Sequence, residues 1–126
     1  MTVGLVLLAG GWFGVELVRF GSAEALADRL RGRTFRAQAE FDAGGRGVFS
    51  LQNLSAEEVR LVAVDCPCGT RPDIELPATI AVGQTVTTHI DLSAATCDQD
   101  TVRFFTLPSL GEITFPVGRP GRVTLP

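Results

Sequence analysis

The sequence predicts an all-β fold, an antiparallel sandwich of about seven short strands, preceded by an apolar N-terminal helix and a short amphipathic helix. Three observations predict it. From Thr34 onward the hydropathy alternates with a period of two, as a half-buried strand requires. Fourteen glycines and seven prolines in 126 residues cut that alternation into short runs. The first eighteen residues are almost wholly apolar and carry no such alternation. The length suits one domain, and 45% apolar residues suffice for a packed core.

Residues 1–20, MTVGLVLLAGGWFGVELVRF, form a unit of their own. The run is apolar from Val3 to Val15 and again at Leu17 and Val18, with Glu16 alone interrupting it. As a helix, Thr2 to Val18 spans about 25 Å, at the short end for a bilayer. Glu16 lies within a turn of the end and can reach the interface or pair with Arg19. The preferred reading is a membrane anchor. A cleaved signal peptide is second, because no arginine precedes the run and the Ala-x-Ala at Ala25–Ala27 lies far beyond it. A buried soluble helix is third, since nothing polar supplies an outer face. Leu8-Ala9-Gly10 resembles the start of a lipoprotein signal, but Gly11 stands where a cysteine is needed. Gly10 and Gly14 form a GxxxG, which lets membrane helices approach closely.

Residues 21–33 read as a short amphipathic helix. Ser22 is an N-cap, Glu24 suits the first turn, and Arg29 and Arg31 suit the last. Gly32 can stop the helix in a left-handed conformation. Ala23, Leu26, Ala27 and Leu30 are expected on one face. The helix either lies on a lipid surface or connects by packing on the domain.

Residues 34–126 alternate. In TFRAQAEF, Phe35, Ala37, Ala39 and Phe41 share a face. DAGGRG turns the chain, and VFSLQN brings Phe49 and Leu51 inward. NLSAEE turns it again, and VRLVAVDC is apolar on both faces, as a central strand would be. DIELP reads as a short strand. PATIAVGQT carries Ile80 and Val82 into a turn at Gly83. VTTHIDL puts Val86, Thr88, Ile90 and Leu92 on one face and Thr85, Thr87, His89 and Asp91 on the other. TVRFFTL and EITFPV follow, with Phe104, Phe105, Ile113 and Phe115 as core candidates. Short strands at this spacing read as an immunoglobulin-like sandwich.

The turn within FSLQNLSAEEVRLV, the Cys-x-Cys of AVDCPCG and the stretch LPATIAVGQTVTTHIDL together resemble a bacterial Ig-like family, domain of unknown function 1573. That family is related in shape to PapD-like and sperm-protein-like sandwiches. The leading anchor and small helix resemble its membrane-tethered, planctomycete-type members. The resemblance covers roughly residues 34–117, and the Cys-x-Cys is its specific element. Asp65 and Pro67 depart from the usual small or polar neighbours of the cysteines, and DAGGRG replaces a longer segment. The resemblance implies the sandwich and an extracytoplasmic place. It implies no reaction.

Cys66 and Cys68 carry what chemistry the sequence offers. On a straight strand both fall on the Val62–Val64 face. One reading makes them structural: small half-buried side chains, or one half of a disulfide. The chain has three cysteines, so any intrachain pair leaves one thiol over. Cys97, in a polar turn, is the long-range partner on offer. The alternative is a copper or zinc site, since two thiolates suit a soft metal. Cys97 and His89 would complete a Cys3His set. A Cys–His dyad would need Cys66 or Cys68 beside His89, and no orienting motif supports one. His89 alone reads as a solvated strand histidine beside Asp91. Asn53-Leu54-Ser55 matches a glycosylation sequon, a cheap match.

A net charge of −3 argues against nucleic acid as a partner. All eleven basic residues are arginine, which leaves no lysine nucleophile. Arg19, Arg29, Arg31, Arg33 and Arg36 follow the apolar run and favour a cytoplasmic domain. The resemblance favours a periplasmic one, and that is the expectation adopted. The chain is therefore expected to be a single-pass membrane protein, not an enzyme, with no resident cofactor. Its partners are the membrane, through residues 1–20, and a protein contacted by the sandwich.

Overall fold

A computed structural model of the protein describes residues 21–126. The expected anchor over residues 1–20 lies outside the described residues. Among the described residues, no helix is long and apolar enough to cross a membrane.

Helix α1, Ala23–Leu30, forms between the caps read from the sequence. Ser22 Oγ accepts from the Ala25 N–H at 3.1 Å. Gly32 has a φ of +85°, and the N–H groups of Arg31 and Arg33 reach back to the Ala27 and Asp28 carbonyls. The buried face differs from the expected one. Ala25 and Leu26 are buried against Leu54, with Val82 beside them, while Leu30 is 64% exposed. Helix α1 thus packs on the sandwich. Arg29 holds it there by donating to the Leu54 and Ser55 carbonyls at 3.2 and 3.1 Å. Arg36 and Glu24 pair at 2.8 Å.

Eight strands follow: β1 Phe35–Phe41, β2 Arg46–Asn53, β3 Val59–Asp65, β4 Ala78–Ile80, β5 Thr85–Asp91, β6 Thr101–Leu107, β7 Ile113–Pro116 and β8 Gly121–Thr124. They build two four-stranded antiparallel sheets, ordered β5-β2-β1-β8 and β4-β3-β6-β7. β3 is interior to its sheet, as its two apolar faces predict. Side chains from both sheets close one core, including Ala37, Ala39, Phe49 and Leu51 from one and Val59, Leu61, Val102 and Phe104 from the other. Phe49 contacts Phe41, Phe104 and Phe115, with ring centroids 5.3–5.6 Å apart. Burying each such ring contributes roughly 1.5–3 kcal/mol.

Two strand-level expectations are corrected, and one strand is added. DIELP is not a strand: the Asp73 N–H donates to the His89 carbonyl of β5 at 3.2 Å, and pairing with β3 begins only at Ala78. That segment therefore bridges from one sheet to the other. Phe105 is 44% exposed, because its neighbour Phe104 takes the inward position on β6. The C-terminal stretch adds β8, a strand beside β1.

Antiparallel register sorts the connections to two ends. The near end holds α1, the β2–β3 turn after Asn53, the β4–β5 turn before Thr85 and the β6–β7 turn after Leu107. Thr34 Oγ1 ties it together by donating to the Leu110 carbonyl at 2.8 Å. The far end holds the β1–β2 turn, the segments after β3 and β5, and the β7–β8 turn.

Candidate functional site

The far end is where every candidate residue gathers. Its geometry begins inside β3. The pairing of β3 with β6 shifts register between Leu61 and Ala63, a bulge that adds one residue to β3. Before it, Val59 and Leu61 face the core; after it, Val64 and Cys66 pack against the core. The bulge thus changes the phase of the strand, and it points the Cys66 side chain inward.

β3 ends at Asp65, and Pro67 is fully buried. Beyond that proline the chain turns outward, so Cys66 and Cys68 do not share a face. Cys66 is a free, half-buried thiol that donates to the Thr70 carbonyl at 3.4 Å. Cys68 is exposed and bonded to Cys97, 29 residues further on. The two loops carrying this disulfide are stitched further. The Thr96 N–H donates to the Cys68 carbonyl at 2.7 Å, and Thr96 Oγ1 donates to the same oxygen at 3.2 Å. Thr70 caps the turn by donating through its N–H and its hydroxyl to the Pro67 carbonyl. Gly69 sits at φ +83°, and a Cβ there would meet the Ala94 carbonyl oxygen at 2.9 Å. Only glycine fits that approach.

His89 lies on the outer face of β5, exposed as read, but its partner is Asp73 and not Asp91. The Asp73 carboxylate accepts from the His89 backbone N–H at 2.7 Å and from the Thr88 hydroxyl at 2.9 Å. Its other oxygen lies 3.0 Å from His89 Nδ1. The His89 N–H bond is the largest influence holding the Asp73 carboxyl below its ordinary value. Asp73 and His89 line an open cleft of about 420 Å³ with Arg46, Arg71, Ile90 and Asp91. Arg46 sits opposite Asp91 in the β2–β5 pairing, and Ser93 holds the Asp91 carboxyl low by donating from its hydroxyl and N–H.

The cleft has a histidine fixed by a carboxylate, but its lining side chains include neither thiol nor hydroxyl to act as a nucleophile. The Cys3His set does not converge. Cys68 and Cys97 are joined to each other, Cys66 turns to Thr70, and His89 turns to Asp73. Among the described residues, no group of three or more His, Cys, Asp or Glu side chains is placed to hold a metal ion. Asn53 is equally removed from glycosylation chemistry: it is fully buried, and Nδ2 donates to the Glu57 and Ile80 carbonyls. Sequence reasoning missed Asp73 and Arg71, having placed the first in a strand. Arg71-Pro72-Asp73 carries a turn signature that could have flagged them.

Comparison with known families, curated proteins and solved structures finds no match to this chain.

Proposed function

We propose that the protein is a single-pass, membrane-tethered Ig-like module that binds or assembles with other components of the cell envelope and catalyses no reaction. The observation that carries this reading is the separation of the two ends. The chain leaves residues 1–20 at the near end, where α1 packs on the sandwich, and the disulfide-clamped loops lie at the opposite end. A tether at one end and rigid loops at the other suit display toward a partner. Order in those loops before contact lowers the entropy cost of binding.

The strand orders suit an immunoglobulin-type arrangement, in line with the family resemblance of residues 34–117. The exposed Cys68–Cys97 bond supports an extracytoplasmic location, because such bonds persist in oxidising compartments.

The test has two arms. The full chain should float with membranes, and a chain beginning at Gly21 should not. A photo-crosslinking residue at Asp98, on the far end, should give a discrete adduct in cells, whereas one at Thr87, on the outer face of β5, should not. Equal flotation of both chains would remove the tether. Adducts from Thr87 alone, or from neither site, would remove the far end as the contact surface.

A further inference from the structure

We propose that the near end of the sandwich rests directly on the lipid bilayer, with Leu30 and Leu107 in contact with lipid. This rests on the tethering reading and names what the near end touches.

The first support is the lack of slack. The apolar run reaches Val18, and α1 begins at Ala23. Four intervening residues reach at most about 15 Å when extended. Nor is α1 a loose linker. Ala25 and Leu26 are buried against Leu54, Arg29 grips two carbonyls of the β2–β3 turn, and Glu24 pairs with Arg36 of β1. A chain leaving a membrane near residue 18 therefore brings the near end to its surface.

The second support is what that end exposes. Among the described residues, three large apolar side chains are exposed: Leu30 at 64%, Leu107 at 62% and Phe105 at 44%. Leu30 ends α1, and Leu107 opens the β6–β7 turn. The Thr34–Leu110 hydrogen bond joins the two segments. Phe105 stands two residues back along β6 on the same outer face, with the Arg103 guanidinium 5.9 Å from its ring centre.

Charge plays the lesser part. Arg31 and Arg33 both lean on the Asp28 carboxylate, at 3.4 and 3.7 Å, which leaves positive charge in excess beside Leu30. Glu57, Glu58 and Glu112 occupy the same end, so it is not a basic patch. Contact is carried by the leucines, with arginine stems lying along the interface. Zwitterionic lipid is expected to suffice.

The chain's single tryptophan, Trp12, makes the test clean. In full-length protein reconstituted into vesicles of brominated phosphatidylcholine, wild-type Trp12 fluorescence reports the anchor. In a Trp12→Phe background, Leu107→Trp reports the near end and Asp98→Trp the far end. The indole at position 107 should lose at least about half its emission relative to unbrominated vesicles, and the one at position 98 should lose little. Leu30→Trp provides a second near-end reporter should Leu107→Trp fail to fold. Quenching of Trp12 with no difference between the near-end and far-end reporters would overturn the docking while leaving the tether standing. No quenching of Trp12 would overturn both.

Discussion

Cys68 is bonded to Cys97 across 29 residues, while Cys66, two positions earlier, keeps a free thiol packed toward the core. The bulge after Leu61 and the buried ring of Pro67 separate the two roles. One thiol ends a core strand; the other clamps two loops outside it.

That division predicts different responses to reduction. A bond closing a loop of this length restricts the unfolded chain by about 3–4 kcal/mol. Urea unfolding with reductant should show a loss of roughly that size in wild type. Cys66→Ala should cost about 1–2 kcal/mol and keep the full reductant effect. Cys68→Ala should abolish the reductant effect. Should Cys66→Ala abolish it instead, the assignment of the bond is wrong.

Asn53 closes the near end in a comparable way. Its side chain is fully buried at the end of β2. Nδ2 donates to the Glu57 carbonyl at 2.8 Å and to the Ile80 carbonyl at 3.0 Å. Oδ1 accepts from the Ser55 N–H and hydroxyl at 2.9 and 2.6 Å. Its backbone adds bonds to Gln84 and Gly83. Asn53→Ala leaves the buried Ile80 carbonyl without that donor and should cost about 2–4 kcal/mol. Asn53→Asp replaces the donor with a charge facing two carbonyls and should cost at least as much. A loss below about 1 kcal/mol for both, measured by urea unfolding, would show that this network contributes little.

Much of this was legible in the sequence, and the exceptions have physical causes. β1, β2 and β5 were readable because their alternation is unbroken and one face of each is buried. The inward set Val86, Thr88, Ile90 and Leu92 lies where the pattern placed it. The helical face was not legible, because five small or apolar residues in α1 fit more than one stripe. Docking on Leu54 selected Ala25 and Leu26. Cys97 was readable as a long-range partner, but the choice between Cys66 and Cys68 depends on a bulge that no residue type announces. DIELP failed for a different reason. Asp73 satisfies its backbone and carboxylate on His89, a contact 16 residues away that local pattern cannot show.

The same Asp73 contact predicts a pH dependence. Its carboxyl titrates below the ordinary value of 3.8, chiefly because the His89 N–H donates to it. Glu24, paired with Arg36, and Asp91, held by Ser93, are shifted the same way. A depressed folded-state value means that the contribution is fully present above the unfolded value. It is lost as pH falls through the lower, folded one. Stability should therefore hold at neutral pH and begin to fall below about pH 4. All three groups are substantially exposed, so the loss from each should be small. Asp73→Asn should flatten part of that fall. Thermal unfolding of both proteins between pH 7 and 2 checks this, and parallel curves would remove Asp73 as a contributor.

Phe104 and Phe105 are adjacent, identical and equally attractive as core residues in the sequence. A strand can bury only one of two neighbours on a given face. Phe104 faces inward, 5% exposed, against Phe49 and Phe115 at 5.6 and 5.8 Å. Phe105 faces outward with Arg103 beside it. Phe104→Ala should therefore cost about 3–5 kcal/mol through lost burial and the cavity left behind. Phe105→Ala should change stability by no more than about 1 kcal/mol, the scale of an exposed cation–π contact. The ratio is the sharper quantity, since both substitutions remove the same atoms and share any effect on the unfolded chain. Urea unfolding of the two variants measures it. Near-equal losses would mean that β6 is turned over, and with it the register that places Leu107 outside and Thr106 inside.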